Sequence, residues 1–231
     1  MSTKDHLHNC KNCKKRNNIF ALLNDEELEH VDKNRYELTF NKGEIIFKQG
    51  SPLTHVACIT EGLAKLYIEG LNKRNLILSF AKPVQMIGGP GMFVDYRHHF
   101  SVAAVEETTA CLVDTKIIEE LIEHNPVFAC DLLKRTNQIS IANFKKFINL
   151  TQKQMHGRIA DAFIFLLDEI YGRNPFIITI SRQDIADLTA MSKENVIRVI
   201  KVFRDQGLLR VDGNVIEILN KKELVRIGET G

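Results

Sequence analysis

The sequence predicts an α+β chain, a β-rich half followed by a helical half, and three features of its 231 residues carry that reading. Between about Tyr36 and Thr115 the apolar runs are short, β-branched and punctuated by glycines at 43, 50, 62, 70, 88, 89 and 91. From Pro126 a helical pattern continues for roughly seven turns, at about 3.6 residues each, with no proline or glycine to break it. Near the C-terminus two short capped helical patterns stand between a strand-like run and a hairpin signal.

Taken in order, residues 1–18 are polar and charged, with the expectation of a flexible tail that carries Cys and His residues. "NIFALLNDEELEHVDKN" places apolar residues at Phe20, Leu23, Leu28 and Val31, with Asn24 as an N-cap, and predicts one or two short helices. "GEIIFKQG", "HVACITEG", "LAKLYIEG", "NLILSFA" and "FSVAAVEETTACLVD" each read as one strand ending in a turn. Short strands at this spacing make a β-sandwich or a β-roll, over residues 19–125.

"TKIIEELIEHN" predicts a short helix, and Pro126 suits the first turn of the next one. That helix carries Phe128, Leu132, Ile139, Phe144, Phe147 and Ile148, and it needs an apolar partner along its length. It can lie on its own β domain or form a dimer seam over 126–150; its length favours the seam. Residues 151–231 then form a second domain. "MHGRIADAFIFLLDEIYG" is helical up to Asn174-Pro175, "FIITI" is a short strand, and Asp212-Gly213 centres a hairpin.

Composition narrows the function classes. The chain is 44% hydrophobic and 26% charged, ordinary for a globular protein, and no run of about 18 apolar residues predicts a membrane span. The N-terminus lacks the apolar centre of a secretory signal, so the expected location is cytoplasmic. A net charge of +2 means that any nucleic-acid contact must come from a local concentration of charge. Five cysteines without an export signal argue against a disulfide framework and leave reduced thiols or a metal site. No P-loop, nucleophile elbow or H-E-x-x-H occurs, and no paired acid and base stands out, so the expectation is not an enzyme.

The stretch "SRQDIADLTAMSKENVIRVIKVF" is the most specific. Ser181 with Asp184 fits a capping arrangement for one helix, and Ser192 caps a second. Val196, Val199, Ile200 and Phe203 share one face of that second helix; Lys193, Glu194, Asn195, Arg198 and Lys201 occupy the other. A solvated charged face would look similar. The order of parts decides: helix, short strand, two capped helices and a hairpin make a winged helix-turn-helix. Arg bonds a guanine edge twice, Glu accepts from cytosine, and Asn or Ser reaches bases or phosphates.

"SRQDIADLTAMSKENVIRVIKVFRDQGLL" resembles the DNA-binding segment of the Crp/Fnr family of bacterial transcription regulators. "GEIIFKQG", "ITEG" and "MIGGPGMF" resemble that family's cyclic-nucleotide-binding-like β-roll, a double-stranded β-helix or jelly roll. The resemblance runs from about residue 20 to 220 in the family's order. It implies a homodimer joined through the long helix, two recognition helices (here about 192–204) in successive major grooves of a near-palindromic DNA site, and RNA polymerase as a partner. The family's base and phosphate contacts fall on Ser192, Lys193, Glu194 and Arg198. Many members have Arg where Lys193 stands, and Lys cannot make the two-pronged contact. Ala190 replaces the glycine usual in the turn. The competing reading is a metal- or ligand-binding module whose C-terminal domain contacts protein instead of DNA.

Two candidate switches follow. The family's cyclic AMP-binding members place a Glu after the "IG" of the cassette and an Arg-Ser pair some ten residues later. Here Gly89 follows Gly88 at the Glu position, Ser101 and Val102 stand about where Arg and Ser would be, and Arg97 and His98 are out of register. A phosphate pocket without its cation implies no useful cyclic AMP affinity, and leaves these residues as an effector pocket for an unnamed ligand. The second candidate is His6, His8, Cys10 and Cys13 with Cys111. Oxygen-sensing members hold an iron–sulfur cluster with several N-terminal cysteines and one from the β-roll. Cys10, Cys13 and Cys111 leave that four-cysteine set incomplete, so histidine would have to complete a zinc or cluster site. The alternative is free thiols. Cys58 and Cys130 lie in apolar runs and read as core residues, and His98-His99 reads as a polar loop.

Overall fold

The computed structural model describes residues 2–3 and 9–231, so His6 and His8 lie outside the described residues. The chain divides into two compact units, residues 1–69 with 79–140 and residues 70–78 with 141–231.

The described residues up to Asp114 form two sheets, and of their strands only the stretch 75–78 belongs to the second unit. Strands β1 (Ser2–Thr3), β2 (Arg35–Phe40), β3 (Ile45–Phe47), β4 (His55–Glu61), β5 (Ala64–Glu69), β6 (Asn75–Ala81), β7 (Met86–Ile87), β8 (Ser101–Ala104) and β9 (Thr108–Asp114) follow in order. One sheet runs β1-β2-β9-β4-β7 and the other β3-β8-β5-β6. The run expected as a single strand over 100–114 is two strands, β8 and β9, broken at Val105–Glu107. The reason is local: Gly62, at φ +80°, packs against the carbonyl of Glu107 so closely that no side chain fits between them.

Alternation along β4 explains its continuous apolar run. Ala57 and Ile59 face the core between the sheets with Leu38, Phe40, Val102, Ala110 and Leu112. Val56 and Cys58 face the other way, into a second core with Val113, Ile19, Phe20, Val31 and Phe128. A strand buried on both faces reads apolar at every position.

Helix α1 (Asp25–Lys33) starts with a capping box: Asn24 Oδ1 accepts from the Glu26 and Glu27 amides at 2.9 Å, and Glu27 Oε2 accepts from the Asn24 amide at 2.8 Å. The segment expected as a tail is packed from Asn9 onward. Cys10–Asn12 form a 3₁₀ turn, Asn18–Leu22 form another, and Cys10, Asn17, Ile19 and Phe20 are buried. Helix α2 (Thr115–His124) is capped by Asp114, and α3 (Pro126–Gln152) begins at Pro126, with Asn125 Oδ1 accepting from the Phe128 amide at 2.9 Å.

The second unit has helix α4 (Met155–Phe165), continued by a π-helical turn (Leu166–Tyr171) and ended by Gly172 in the left-handed region at φ 65°. Strands β10 (Phe176–Ile177), β11 (Leu209–Asp212) and β12 (Val215–Ile218) form a sheet ordered β10-β12-β11. β10 is shorter than the expected five residues: its register partners are Ile216 and Val215, and after one further bond, from the Ile178 amide to the Asn214 carbonyl at 2.8 Å, the chain turns into the next helix. Asp212 pairs with Val215, so the hairpin turns on Gly213-Asn214, one residue later than expected. Helix α7 (Lys221–Thr230), which the sequence reading did not assign, packs on α4: Gly157 lies against Ile227 and Gly231, and Gly228 lies against Asp161.

Candidate functional site

Helices α5 (Arg182–Thr189) and α6 (Lys193–Asp205) form the helix-turn-helix. Ser181 caps α5 through a capping box, its Oγ accepting from the Asp184 amide at 3.1 Å while Asp184 Oδ2 accepts from the Ser181 amide at 2.8 Å. The turn needs one left-handed residue, and Ala190 supplies it at φ 52°, a conformation glycine would adopt more readily. Ser192 then caps α6, accepting from the Asn195 amide at 3.3 Å.

Val196, Val199, Ile200 and Phe203 are buried and hold α6 to its unit. Lys193, Glu194, Arg198 and Lys201 are exposed on the opposite face, with Asn195 half-buried beside them. Arg198 Nη2 donates to Asn195 Oδ1 at 2.9 Å, one turn back on the same helix, and approaches Met155 Sδ at 3.9 Å. The Glu194 carboxyl is held below its ordinary range by its own backbone N–H at the helix start and by the Ser192 hydroxyl. Ile197, 50% exposed, sits within the same outer face. The sequence reading passed over it because it looked for charge; its signal was an apolar residue off the buried stripe. An exposed methyl surface there suits a thymine methyl group.

The expected effector-pocket residues do not form a phosphate site. Ser101 is fully buried; its Oγ accepts from the Gln49 amide at 2.9 Å and donates to the Glu69 carboxylate. Glu69 also pairs with Lys48 at 2.5 Å. A carboxylate therefore stands beside the position where the family's resemblance would place a cation. Gly89 lies close to Leu53, with Cβ space of only 3.0 Å to its Cδ1, so a larger side chain there requires Leu53 to shift, while Gly88 faces Val56. Arg97 is exposed and donates to the Gly50 carbonyl at 2.8 Å. His98 is not part of a polar loop: it is 3% exposed, stacked on Phe47 at 4.3 Å, and burial lowers its titration. His99 beside it is exposed and pairs with Asp95.

Cys58 is a buried core residue, as expected, but Cys130 is not. Cys130 is exposed on α3, whereas Cys10, Cys13, Cys58 and Cys111 line one cleft with Arg16, Asn17, Arg35, Glu37 and Thr60. Cys58 on β4 and Cys111 on β9 are direct register partners across neighbouring antiparallel strands. Cys10 arrives on the N-terminal turn, where its amide donates to Asp32 Oδ1 at 3.1 Å. Asp32 in turn holds Arg35 through Nε at 2.9 Å and Nη2 at 2.8 Å, and Arg35 Nη1 approaches Cys111 Sγ at 3.6 Å. Burial would raise Asp32, but the hydrogen bonds from Arg35 and Cys10 hold its carboxyl below the ordinary range. Burial pushes the Cys10 thiol up to about 12 against the pull of Arg35. It raises Cys58 and Cys111 as well. The sequence reading placed Cys58 in the core, which holds, but not which face it takes; the alternation against Ala57 and Ile59 was the available signal.

Four thiols line the cleft with cationic and N–H groups around them, but among the described residues no group of three His, Cys, Asp or Glu side chains is placed to hold a metal ion.

Comparison with known proteins places these parts in a wider setting. Residues 37–125 match the family model for a cyclic nucleotide-binding domain, and residues 157–227 match that for a Crp-like helix-turn-helix domain. Among similar proteins, the "Anaerobic regulatory protein" of Aggregatibacter actinomycetemcomitans is 25% identical, over 96% of this chain and 88% of its own length. The "Transcriptional activator protein anr" of Pseudomonas aeruginosa is 25% identical over 93% and 90%. The solved structure of FixK2 from Bradyrhizobium japonicum superposes with a TM-score of 0.77 at 21% identity, over 84% of this chain and 96% of that one.

Proposed function

The chain belongs to the Crp/Fnr family of transcription regulators and is a DNA-binding regulator, and from this premise we infer how it is assembled, what it reads and what switches it. The reading of the C-terminal domain as a protein-contact module falls away, because that domain is a Crp-like helix-turn-helix. Residues 19–125 form the sensing domain, 126–150 the dimerisation helix and 151–231 the DNA-binding domain.

The chain is a homodimer seamed by α3. Leu133, Ile139, Ile141, Phe144, Phe147 and Ile148 are all exposed along this one helix, and only Phe128 on it is buried. An apolar stripe of that length in water is a dimer face. Two copies of α6 then enter successive major grooves of a near-palindromic site, with Arg198, Glu194 and Lys193 toward base edges and Ser192, Asn195 and Lys201 toward phosphates or bases, while the Ser181 hydroxyl is engaged with Asp184 as the α5 cap. RNA polymerase is the partner of the DNA-bound dimer, and its action is regulatory, not enzymatic, in the cytoplasm.

The switch is the cysteine cleft and not a cyclic nucleotide. The carrying observation is the convergence of four cysteines from three separate parts of the chain, set against the Glu69 carboxylate bonded to Ser101. A cyclic phosphate would meet that negative charge, and the Lys48 ammonium beside it is already paired with the Glu69 carboxylate. The relatives named for anaerobic regulation support a signal connected with oxygen. When bound, a metal centre here supplies the oxygen- or redox-sensitive chemistry; the chain's own residues hold it and tie the N-terminal turn to β4 and β9.

The test is duplex DNA binding with anaerobically and aerobically purified protein across a salt series. Affinity for a two-fold site should fall steeply with salt, as released cations require, and should differ between the two preparations. Salt-independent binding would defeat the DNA reading, and identical affinities would defeat the cleft as the switch.

A further inference from the structure

We infer that Ile197 is a specificity-determining residue of α6, whose side chain packs on the 5-methyl group of a thymine in the major groove. This rests on the reading of α6 as the helix that enters that groove. It adds the chemistry of one base: a thymine, chosen by an apolar contact and not by a hydrogen bond.

The place of Ile197 on the helix carries the inference. Residues three and four apart share a helix face, so Ile197 stands beside Glu194 and between Lys193 and Lys201, all of them exposed. The stripe that holds α6 to its unit, Val196, Val199, Ile200 and Phe203, lies on the other side and is buried. Ile197 is 50% exposed. A lone aliphatic side chain on an idle surface needs no partner. This one stands inside the face that meets DNA, where it is either covered by an apolar group or pressed against polar edges at a cost.

Its neighbours leave it uncovered. Arg198 Nη2 reaches Asn195 Oδ1 at 2.9 Å and Met155 Sδ at 3.9 Å. With about 100° of rotation per residue, Asn195 and Ile197 lie on opposite sides of Arg198. The guanidinium therefore leans away from the isoleucine. A β-branched side chain in a helix is held close to one rotamer, so Ile197 offers a fixed apolar surface and loses little freedom when it is covered.

The chemistry of the groove names the partner. Base edges there present hydrogen-bond donors and acceptors, and the thymine 5-methyl is the apolar group among them. A cytosine amino group or a phosphate set against Ile197 would lose water without gaining a hydrogen bond. A thymine methyl group gives up no hydrogen bond, and the contact removes apolar surface from water on both sides. Each half-site then combines polar readings by Lys193, Glu194 and Arg198 with one apolar reading by Ile197.

The experiment selects a binding site for the full chain from random duplexes. Each thymine of the selected half-site is then replaced singly by deoxyuridine, which lacks only the 5-methyl group. Affinity is measured for wild type, Ile197→Ala and Ile197→Val. At one position the replacement should weaken wild-type binding about fourfold in one half-site and about fifteenfold in both, the factor expected from uncovering one methyl group at each. The same replacement should leave Ile197→Ala unaffected, and the loss for Ile197→Val should fall between the two. Ile197→Ala should bind unrelated duplex as wild type does. Alanine favours the helix, and circular dichroism verifies that the variant is folded.

A selected site with no methyl-sensitive thymine overturns the inference. A methyl effect of equal size in wild type and Ile197→Ala also overturns it, since the contact then belongs to another residue. Equal weakening of Ile197→Ala on selected and unrelated duplexes does the same, because loss of a base contact spares the unrelated one. In each case α6 remains the reading helix if Arg198→Ala still lowers affinity selectively for the selected site. If Arg198→Ala and Ile197→Ala both bind that site as wild type does, the placement of α6 in the groove fails together with the inference.

Discussion

Arg35 and Cys111 meet across β2 and β9, the guanidinium Nη1 lying 3.6 Å from the thiol sulfur. Arg35 is buried, and its charge is matched by Asp32, which also accepts from the Cys10 amide. One carboxylate therefore couples the N-terminal turn to the cation beside a cysteine 101 positions along the chain, from Cys10 to Cys111.

Asp32→Ala should release that turn. Each hydrogen bond to a charged group contributes about 1.5–3 kcal/mol, so a loss of stability of that order is expected. Amide exchange at Cys10 and its neighbours should quicken most. Unchanged exchange there would mean that Asp32 supports only Arg35.

Arg198→Ala should cost about 1–3 kcal/mol in binding to the specific site and less on unrelated duplex, because a bidentate base contact is lost. Binding titrations on both DNAs decide it. An equal loss on each would make Arg198 a phosphate contact.

Ser181→Ala separates a cap from a DNA contact. Its hydroxyl is engaged with Asp184 at the start of α5, so the expected result is a loss of about 1 kcal/mol in stability. The melting temperature should fall while the DNA affinity of the folded protein stays close to wild type.

Phe144→Glu with Phe147→Glu should convert the dimer into a monomer, since both side chains stand in the exposed apolar stripe, 63% and 60% exposed. Sedimentation gives the mass. Affinity for a two-fold site should fall by at least about tenfold, because the two half-sites are no longer engaged as one unit.

Lys146 predicts a pH dependence. Its ammonium donates to the carbonyls of Ile77 and Leu78, and burial lowers its titration from 10.5 to about 8. The unfolded chain then binds more protons than the folded one between those values, so stability rises as pH increases from about 8 toward 10.5. Lys146→Met should abolish this rise, as measured by urea unfolding at a series of pH values.

Much of this protein is local and was therefore legible in its sequence. The caps at Asn24, Ser181 and Ser192 mark helix starts because a side-chain oxygen satisfies amides two or three residues away. The buried stripe of α6 follows from helical period, and its outer face follows from what is left over. The order of elements, with the resemblance it carries, was enough to expect a DNA-reading regulator. Ile197 was missed, since an apolar residue outside the stripe has no meaning until the surface is seen.

What the tertiary structure alone decided is the cleft. Cys58 and Cys111 are 53 residues apart, and only the antiparallel register of β4 and β9 sets them side by side. A shift of one residue would turn each of them to the opposite face of the sheet. Local sequence can say that a strand is apolar, but register is fixed by the sum of cross-strand pairs and the two cores on either side. For the same reason the sequence could place Cys58 in the core, where it is, but not on which face: on a strand buried on both faces, composition cannot distinguish the roll interior from the face that the N-terminal turn covers.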